Sequence, residues 1–420
     1  MTLKKNITDN SAWAAQSQSL IRVQAEGTQL EKKVREILGW DSGVVGYDQN
    51  NSYSLQVDAV YPDKFMPRVA VSVTYTNPDT RGHSNENKLQ LKIGELALLK
   101  FAYPSIRVVL VIGGSKDAWL SYVLEAFVYF FDEVIFLWTA TGIERLGKIK
   151  ESPESVPLTN QDFWDSVRAE RNSIATSRPT QIPNSLIRYQ IADILKAQTP
   201  IVYNPSLIEN EIARHCMRAS FNRGGREWQN YLAGNWFSIE MSRNYFNPLE
   251  AIVEIILQEM GFDYEGGMAQ DVEVQSLLHD FGMLHTSVSE DFVLFSERFN
   301  VPVYIQCKAS GGGRSQHGKN IQNRTKEQTT RGILYRARFV DNRLIWKPKH
   351  FHWISVLDGN WGVSAKQPYK YLDMLQLAGY DMIFPASELI TDSFQVNRKN
   401  NPLGTYLNDY LKCRLKKTLI

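Results

Sequence analysis

The chain has little that would hold it together from outside its own core. Three cysteines among 420 residues, Cys216, Cys307 and Cys413, form no CxxC pair, so neither a disulfide framework nor a structural zinc site is indicated. No apolar run is long enough to span a bilayer. The opening MTLKKNITDN lacks the apolar centre of a signal peptide, and the expectation is a protein of the reducing cytoplasm with no membrane partner. Excess charge is missing too: a formal net charge of +2 argues neither for nor against nucleic acid. GxSxG, HExxH and EF-hand patterns are absent, and His215 beside Cys216 has no partners for a zinc site. What is present, 43% hydrophobic residues over this length, suffices for two or three domains with their own cores.

The densest chemistry lies in SEDFVLFSERFNVPVYIQCKAS, residues 289–310. EDFVLF and VPVYIQCKAS are rich in β-branched and aromatic residues and flank the polar SERFN, so two strands joined by a turn are expected. Asp291 opens the first strand. Gln306 and Lys308 stand two apart on the second and leave the same face, because strand side chains alternate with period two. A carboxylate, an amide oxygen and an ammonium then converge. Hard oxygen ligands suit a magnesium ion, and a lysine beside them orients and helps to deprotonate a metal-bound water. Upstream, NPLEAIVEIILQEMGF reads as a helix with Asn247 as cap, Pro248 in first position, an apolar stripe from Leu249 to Met260, and a stop at Gly261. Glu250 is its third residue, where a capping-box acid is favoured as much as a functional one.

An Asp followed fifteen positions later by Gln-x-Lys resembles the active-site hairpin of PD-(D/E)XK nucleases. The likeness is closest to the Mrr-like branch, in which Gln replaces the second acid and a preceding helix carries Glu in the pattern LE..V..IL...G, here Leu249 to Gly261. The DGNW strand and the LxxxGYD segment that follow are similar to the closing part of many restriction endonucleases. The resemblance implies a magnesium-dependent type II restriction endonuclease that hydrolyses double-stranded DNA to 5′-phosphate and 3′-hydroxyl ends. In that scheme Asp291, Gln306 and the Cys307 carbonyl hold the metal, Lys308 steers and acidifies the water, and Glu250 orients the site or helps to hold a metal. Asp280 replaces Asp291 if the hairpin boundary lies elsewhere. Cutting both strands with one site per chain calls for a homodimer.

The first half of the chain repeats this order. QLEKKVREILGW mirrors the Glu250 helix, although Glu-to-Gly is shorter by three residues. SLQVDAVYP and RVAVSVTYT mirror the hairpin, with Asp58 fourteen positions before Ser72, and the alignment puts Ser72 on Gln306 and Thr74 on Lys308. A polar loop with a basic stretch follows in both halves, then a strand (RVVLVIGG, HWISVLDGNW), a helix and a last strand. Five matches in one order suggest a duplicated αβ module. The expected fold is α/β with two restriction-endonuclease-like modules, each a mixed central sheet flanked by helices. Residues 1–26 form an N-terminal arm, ending before a capping box of Thr28 and Glu31. Residues 27–149 form a degenerate module without the catalytic pair, and 150–245 a helical connector. Residues 246–390 form the catalytic module, and 391–420 a basic tail too short for membrane attachment on its own.

Positive charge is concentrated after the hairpin: eleven Lys and Arg against two acids between Lys308 and Lys349. If this loop follows DNA, Arg314, Lys319, Arg324 and Lys326 are phosphate contacts, which position without reading sequence. In the connector, Arg218, Arg223 and Arg226 near FNRGGREW offer further contacts, though a solvated basic face accounts for them equally. A non-catalytic DNA-binding protein is the alternative of another class. Residues 313–320, GRSQHGKN, fall one residue short of a P-loop, and with WISVLD ending at Asp358 they make a nucleotidase the remaining alternative. Asn320 replaces the hydroxyl residue that ligates magnesium there, so no nucleotide cofactor is expected.

Overall fold

The computed structural model describes residues 25–46, 54–76, 83–177, 248–269, 290–294, 299, 301–308, 317–341, 343–347, 351–357, 379–390, 396–398 and 401–411. The protein is mixed α/β and divides into two compact units. Among the described residues the first unit holds 25–172 with 326–341 and 343–347, and the second holds the rest.

The first unit opens with helix α1 (25–38), already formed at residue 25, so Thr28 lies inside it and does not cap it. The helix stops at Gly39, whose φ of 68° is open to glycine at little cost. Strands β1 (Gly43–Gly46) and β2 (Ser54–Val57) pair antiparallel. Asp58 interrupts the chain before β3 (Ala59–Tyr61), which begins a four-stranded sheet ordered β3, β4 (Val69–Tyr75), β5 (Arg107–Gly113) and β6 (Glu133–Phe136). β3 and β4 are antiparallel and the other pairs parallel. Helix α2 (His83–Ala102) carries the chain from β4 to β5, and α3 (Ser121–Phe130) from β5 to β6. Val71, Val73, Val109 and Val111 pack on one face with Val34 and Leu38 of α1 and with Leu146 and Ile149 of α4 (Ala140–Glu151). Ala70, Ser72, Val108 and Leu110, on the other face, are buried as well. With both faces covered, the strands read as near-continuous apolar runs.

Residues 150–172, expected to open a connector, belong to this unit. Helix α5 (Gln161–Ser177) buries Phe163 and Trp164, and Phe163 meets Phe130 edge-on with ring centres 6.3 Å apart. Residues 178–245 lie outside the described set.

The second unit begins with α6 (Pro248–Glu259), whose Leu249, Ile252, Val253, Ile256 and Leu257 are buried as the apolar stripe predicts. It ends at Gly261, φ 64°, where the Phe262 amide donates back to the Leu257 carbonyl at 3.0 Å. The five-stranded sheet is ordered β13 (Met382–Pro385), β12 (His352–Leu357), β9 (Val303–Lys308), β8 (Glu290–Leu294) and β7 (Glu265–Ala269). β7, β8 and β9 pair antiparallel; β9, β12 and β13 pair parallel. Ile305, Cys307, Ile354 and Val356 face α6 in one core. Helix α7 (His317–Leu334) follows β9, and the hairpin of β10 (Ala337–Val340) and β11 (Arg343–Trp346) clusters with the first unit.

The two sheets share their pairing register. Ala59 pairs with Val71 and Val109 with Glu133; Phe292 pairs with Ile305 and Ile354 with Met382. These pairings place Ser72 at the position of Gln306 and Thr74 at that of Lys308, as the sequence alignment expects. Side chains repeat as well as backbone. Asp132 Oδ2 accepts from the Val108 amide and Asp381 Oδ2 from the Trp353 amide, each at 2.7 Å. Among the described residues no helix is long and apolar enough to cross a membrane.

Candidate functional site

In the second unit the hairpin of β8 and β9 brings Asp291 and Gln306 into contact. Asp291 stands just before the Phe292–Ile305 pair, and its Oδ2 accepts from the Cys307 backbone amide at 2.5 Å and from Gln306 Nε2 at 2.6 Å. Gln306 is buried on β9, and Lys308, two residues on, is half-buried at the strand end. Glu250, in the first turn of α6, is close enough for its charge to act on Asp291. The Asp291 carboxyl is pushed up to about 7, first by burial and then by Glu250, against the lowering pull of Lys308 and the Cys307 amide. Burial also pushes the Cys307 thiol well up, so this sulfur is a core group and not a nucleophile.

Carboxylates crowded in this way create a field that a cation relieves. Asp291, the Gln306 amide oxygen, the Cys307 carbonyl and Glu250 are all hard oxygen donors, the set that magnesium prefers. Among the described residues no three His, Cys, Asp or Glu side chains gather as a cation cage, so this set depends on its amide and carbonyl oxygens. A buried hydroxyl without a partner, Ser355 Oγ, lies on the adjacent strand, and its chain position pairs with Gln306. The donor set fits a hard divalent ion.

One consequence of Asp291 is a dependence of stability on pH. A carboxyl held near 7 in the folded chain and near 3.8 when unfolded keeps its proton longer in the native state. Native protein therefore binds more protons between those values, and its stability falls as pH rises from about 4 to about 7, then levels off. Asp291→Asn removes that penalty while keeping one oxygen for the Cys307 amide. The variant is expected to be more stable than wild type at pH 8, by on the order of 2–4 kcal/mol in urea unfolding, with the gap closing toward pH 4. Equal stability of the two proteins at pH 8 contradicts a buried carboxylate.

The basic residues fare differently. Arg218, Arg223, Arg226 and Arg314 lie outside the described residues, as does Asp280. Lys319 and Arg324 fall on α7, and their side chains lie outside the described set. Lys326, expected as a phosphate contact, is engaged elsewhere: its Nζ is 3.1 Å from Glu95 Oε2, and only 14% of its side chain is exposed. The segment read as a loop past Gly313 is helical from His317 onward.

In the first unit Asp58 Oδ2 accepts from the Val73 amide at 2.6 Å, the counterpart of the Asp291 bond to Cys307. The sequence leaves only hydroxyls beside it, but α2 supplies more. Ser72 Oγ donates to Glu95 Oε1 at 2.7 Å, Lys92 Nζ donates to Ser72 Oγ, and Lys92 lies 3.5 Å from Glu95 and 4.0 Å from Asp58. Burial alone would raise Glu95, but Lys92, Lys326 and the Ser72 bond overcome it and hold the carboxyl at about 2. Burial lifts Asp58, with Lys92 opposing, and it lifts Glu31, helped by the Asp58 charge. Lys92, Glu95 and Ser355 went unrecognised in the sequence. The available signal was Lys88, Lys92 and Glu95 at helical spacing, one face of a helix that meets Ser72 and the Tyr75 carbonyl of β4. Comparison of the chain with protein-family models, with curated proteins and with solved structures yields no match.

Proposed function

We propose that the protein is a magnesium-dependent DNA endonuclease of the restriction type, working in the cytoplasm as a homodimer on double-stranded DNA. It is read as two restriction-endonuclease-like modules, of which the second cuts and the first does not. The observation that carries this reading is the Asp291–Gln306–Lys308 hairpin with Asp291 bonded to the Cys307 amide and under the charge of Glu250. The shared register of the two sheets, together with the matched aspartates, supports a duplicated module.

Asp291, the Gln306 amide oxygen and the Cys307 carbonyl are the ligands in this reading, with Glu250 completing or orienting the set. When bound, magnesium supplies an acidified water and neutralises phosphate charge. Lys308, on the same strand face as Gln306, orients the attacking water and stabilises the charge that develops on the scissile phosphate. The hydrolysis leaves 5′-phosphate and 3′-hydroxyl ends. In the first unit Asp58 and Glu95 are already compensated by Lys92 and Lys326. That unit binds DNA or braces the dimer.

The test is incubation of the protein with phage DNA and magnesium. Discrete fragments without any nucleotide are expected, because Asn320 takes the place of the P-loop hydroxyl. A strict ATP requirement, with ATPase activity lost in Lys319→Ala, favours the nucleotidase reading. Binding without cleavage favours a non-catalytic DNA-binding protein.

A further inference from the structure

Ser355 sits in the middle of β12, fully buried, and its Oγ has no hydrogen-bond partner. Buried hydroxyls are nearly always bonded, so an orphan beside a candidate site points to a partner that arrives later. Its cross-strand neighbour in the parallel pairing is Gln306, which puts both side chains on one face with the strands about 4.8 Å apart. The sheet order is β12, β9, β8. Gln306 therefore lies between Ser355 on one side and Asp291 on the other.

The Gln306 amide has its nitrogen on Asp291: Nε2 donates to Oδ2 at 2.6 Å, which draws the group toward β8. A primary amide carries its donors on one edge and its acceptor on the other, so the oxygen is turned away from the carboxylate. A cation held jointly by Asp291 and Gln306 needs the opposite arrangement, because only the oxygen can be a ligand. Turning the amide over exchanges its nitrogen and oxygen and puts the nitrogen toward β12, where it requires an acceptor that a rotation of the Ser355 side chain about χ1 can bring to it. We propose that Ser355 Oγ is that acceptor, and that Ser355 is a positioning residue which holds the Gln306 amide in its cation-binding orientation. The inference rests on the metal-site reading above and adds to it a residue outside the Asp–Gln–Lys pattern.

A calorimetric titration of the full chain with magnesium, without DNA, tests it in four proteins: wild type, Ser355→Ala, Gln306→Glu and the double variant. Ser355→Ala is expected to weaken magnesium binding by roughly tenfold or more, the usual effect of removing a group that orients a ligand. In the Gln306→Glu background the same change is expected to cost less than about threefold, because a carboxylate has no N–H to place. Thermal melting of the metal-free proteins separates positioning from packing. Ser355→Ala removes an unsatisfied hydroxyl, so its melting temperature is expected to equal or exceed that of wild type. Equal losses of affinity in both backgrounds, no loss in either, or a lowered melting temperature overturn the role given to Ser355 and leave the metal site standing. Absence of magnesium binding by the wild-type chain overturns the metal-site reading itself and Ser355 with it.

Discussion

Lys308→Ala and Asp291→Ala are each expected to lower the proposed magnesium-dependent cleavage by on the order of a thousandfold or more while DNA binding in calcium stays near wild type. Asp291 bonds to both the Gln306 amide and the Cys307 backbone on β9, so in the proposed site its loss would remove a ligand and the anchor of another. Lys308 is half-buried on the same face and lowers the Asp291 carboxyl by its charge. In the proposed site its removal would take away the cation assigned to the attacking water and the developing phosphate charge, and it leaves Asp291 harder to ionise. Neither side chain lies in the core that α6 makes with β9 and β12, so both variants should remain folded by circular dichroism. Cleavage at the wild-type rate in either variant places the site elsewhere, and Asp280→Ala is then the next protein to assay.

How far this site could be read in advance depended on where polarity and burial coincide. The alternation of VYIQCK put Gln306 and Lys308 on one face, and the apolar stripe with its terminal glycine fixed α6; both survive in the structure because tertiary packing agrees with local pattern. The alignment of Ser72 on Gln306 also agrees with the strand pairing, Ala59 opposite Val71 in one sheet and Phe292 opposite Ile305 in the other. Helices α2 and α7 were read as loop and basic stretch for a physical reason. Their inward positions include polar residues: Asn85, Glu95 and Lys100 in one, Thr325, Gln328, Thr329 and Thr330 in the other are buried. The buried polar side chains of α7 mask its periodicity, whereas α2 does carry an apolar stripe, Leu89, Ile93, Leu96 and Leu99, that only its polar first turns disguise. Ser355 was hidden in the opposite way, as one hydroxyl in the apolar run WISVL. Residues 326–341 and 343–347 cluster with the first unit although they follow β9 in the chain, an association that local sequence pattern does not carry.

Glu95→Ala is expected to destabilise the first unit by about 3–5 kcal/mol, the range for breaking a buried ion pair from one side. Glu95 is 4% exposed and is the common partner of Lys92, Lys326 and Ser72, so its removal takes the nearest carboxylate from two largely covered ammonium groups at once and leaves Lys92 only the longer carboxylate contact to Asp58. Relaxation around them is restricted, because α2 approaches Lys326 at Gly94, where a Cβ would collide with the Lys326 carbonyl oxygen. Replacing Glu95, Lys92 and Lys326 together by leucine or methionine should recover much of the loss, since an apolar set of similar volume replaces the desolvated charges. The pH dependence carries a definite sign. Glu95 is held at about 2 in the folded chain, below its ordinary value of 4.5, so the unfolded state binds more protons between the two. Its contribution is full above about pH 4.5 and fades as pH falls toward 2, and the gap between wild type and Glu95→Ala narrows over that window. Asp58→Ala should be milder, because Lys92 keeps Glu95 at 3.5 Å when the longer 4.0 Å contact is lost. It should also leave DNA cleavage near wild type, because a compensated cluster has no vacant ligand set to lose. An unchanged urea midpoint for Glu95→Ala shows the lysines to be solvated, and loss of cleavage in a folded Asp58→Ala protein equal to that of Asp291→Ala makes the first unit a cutting site.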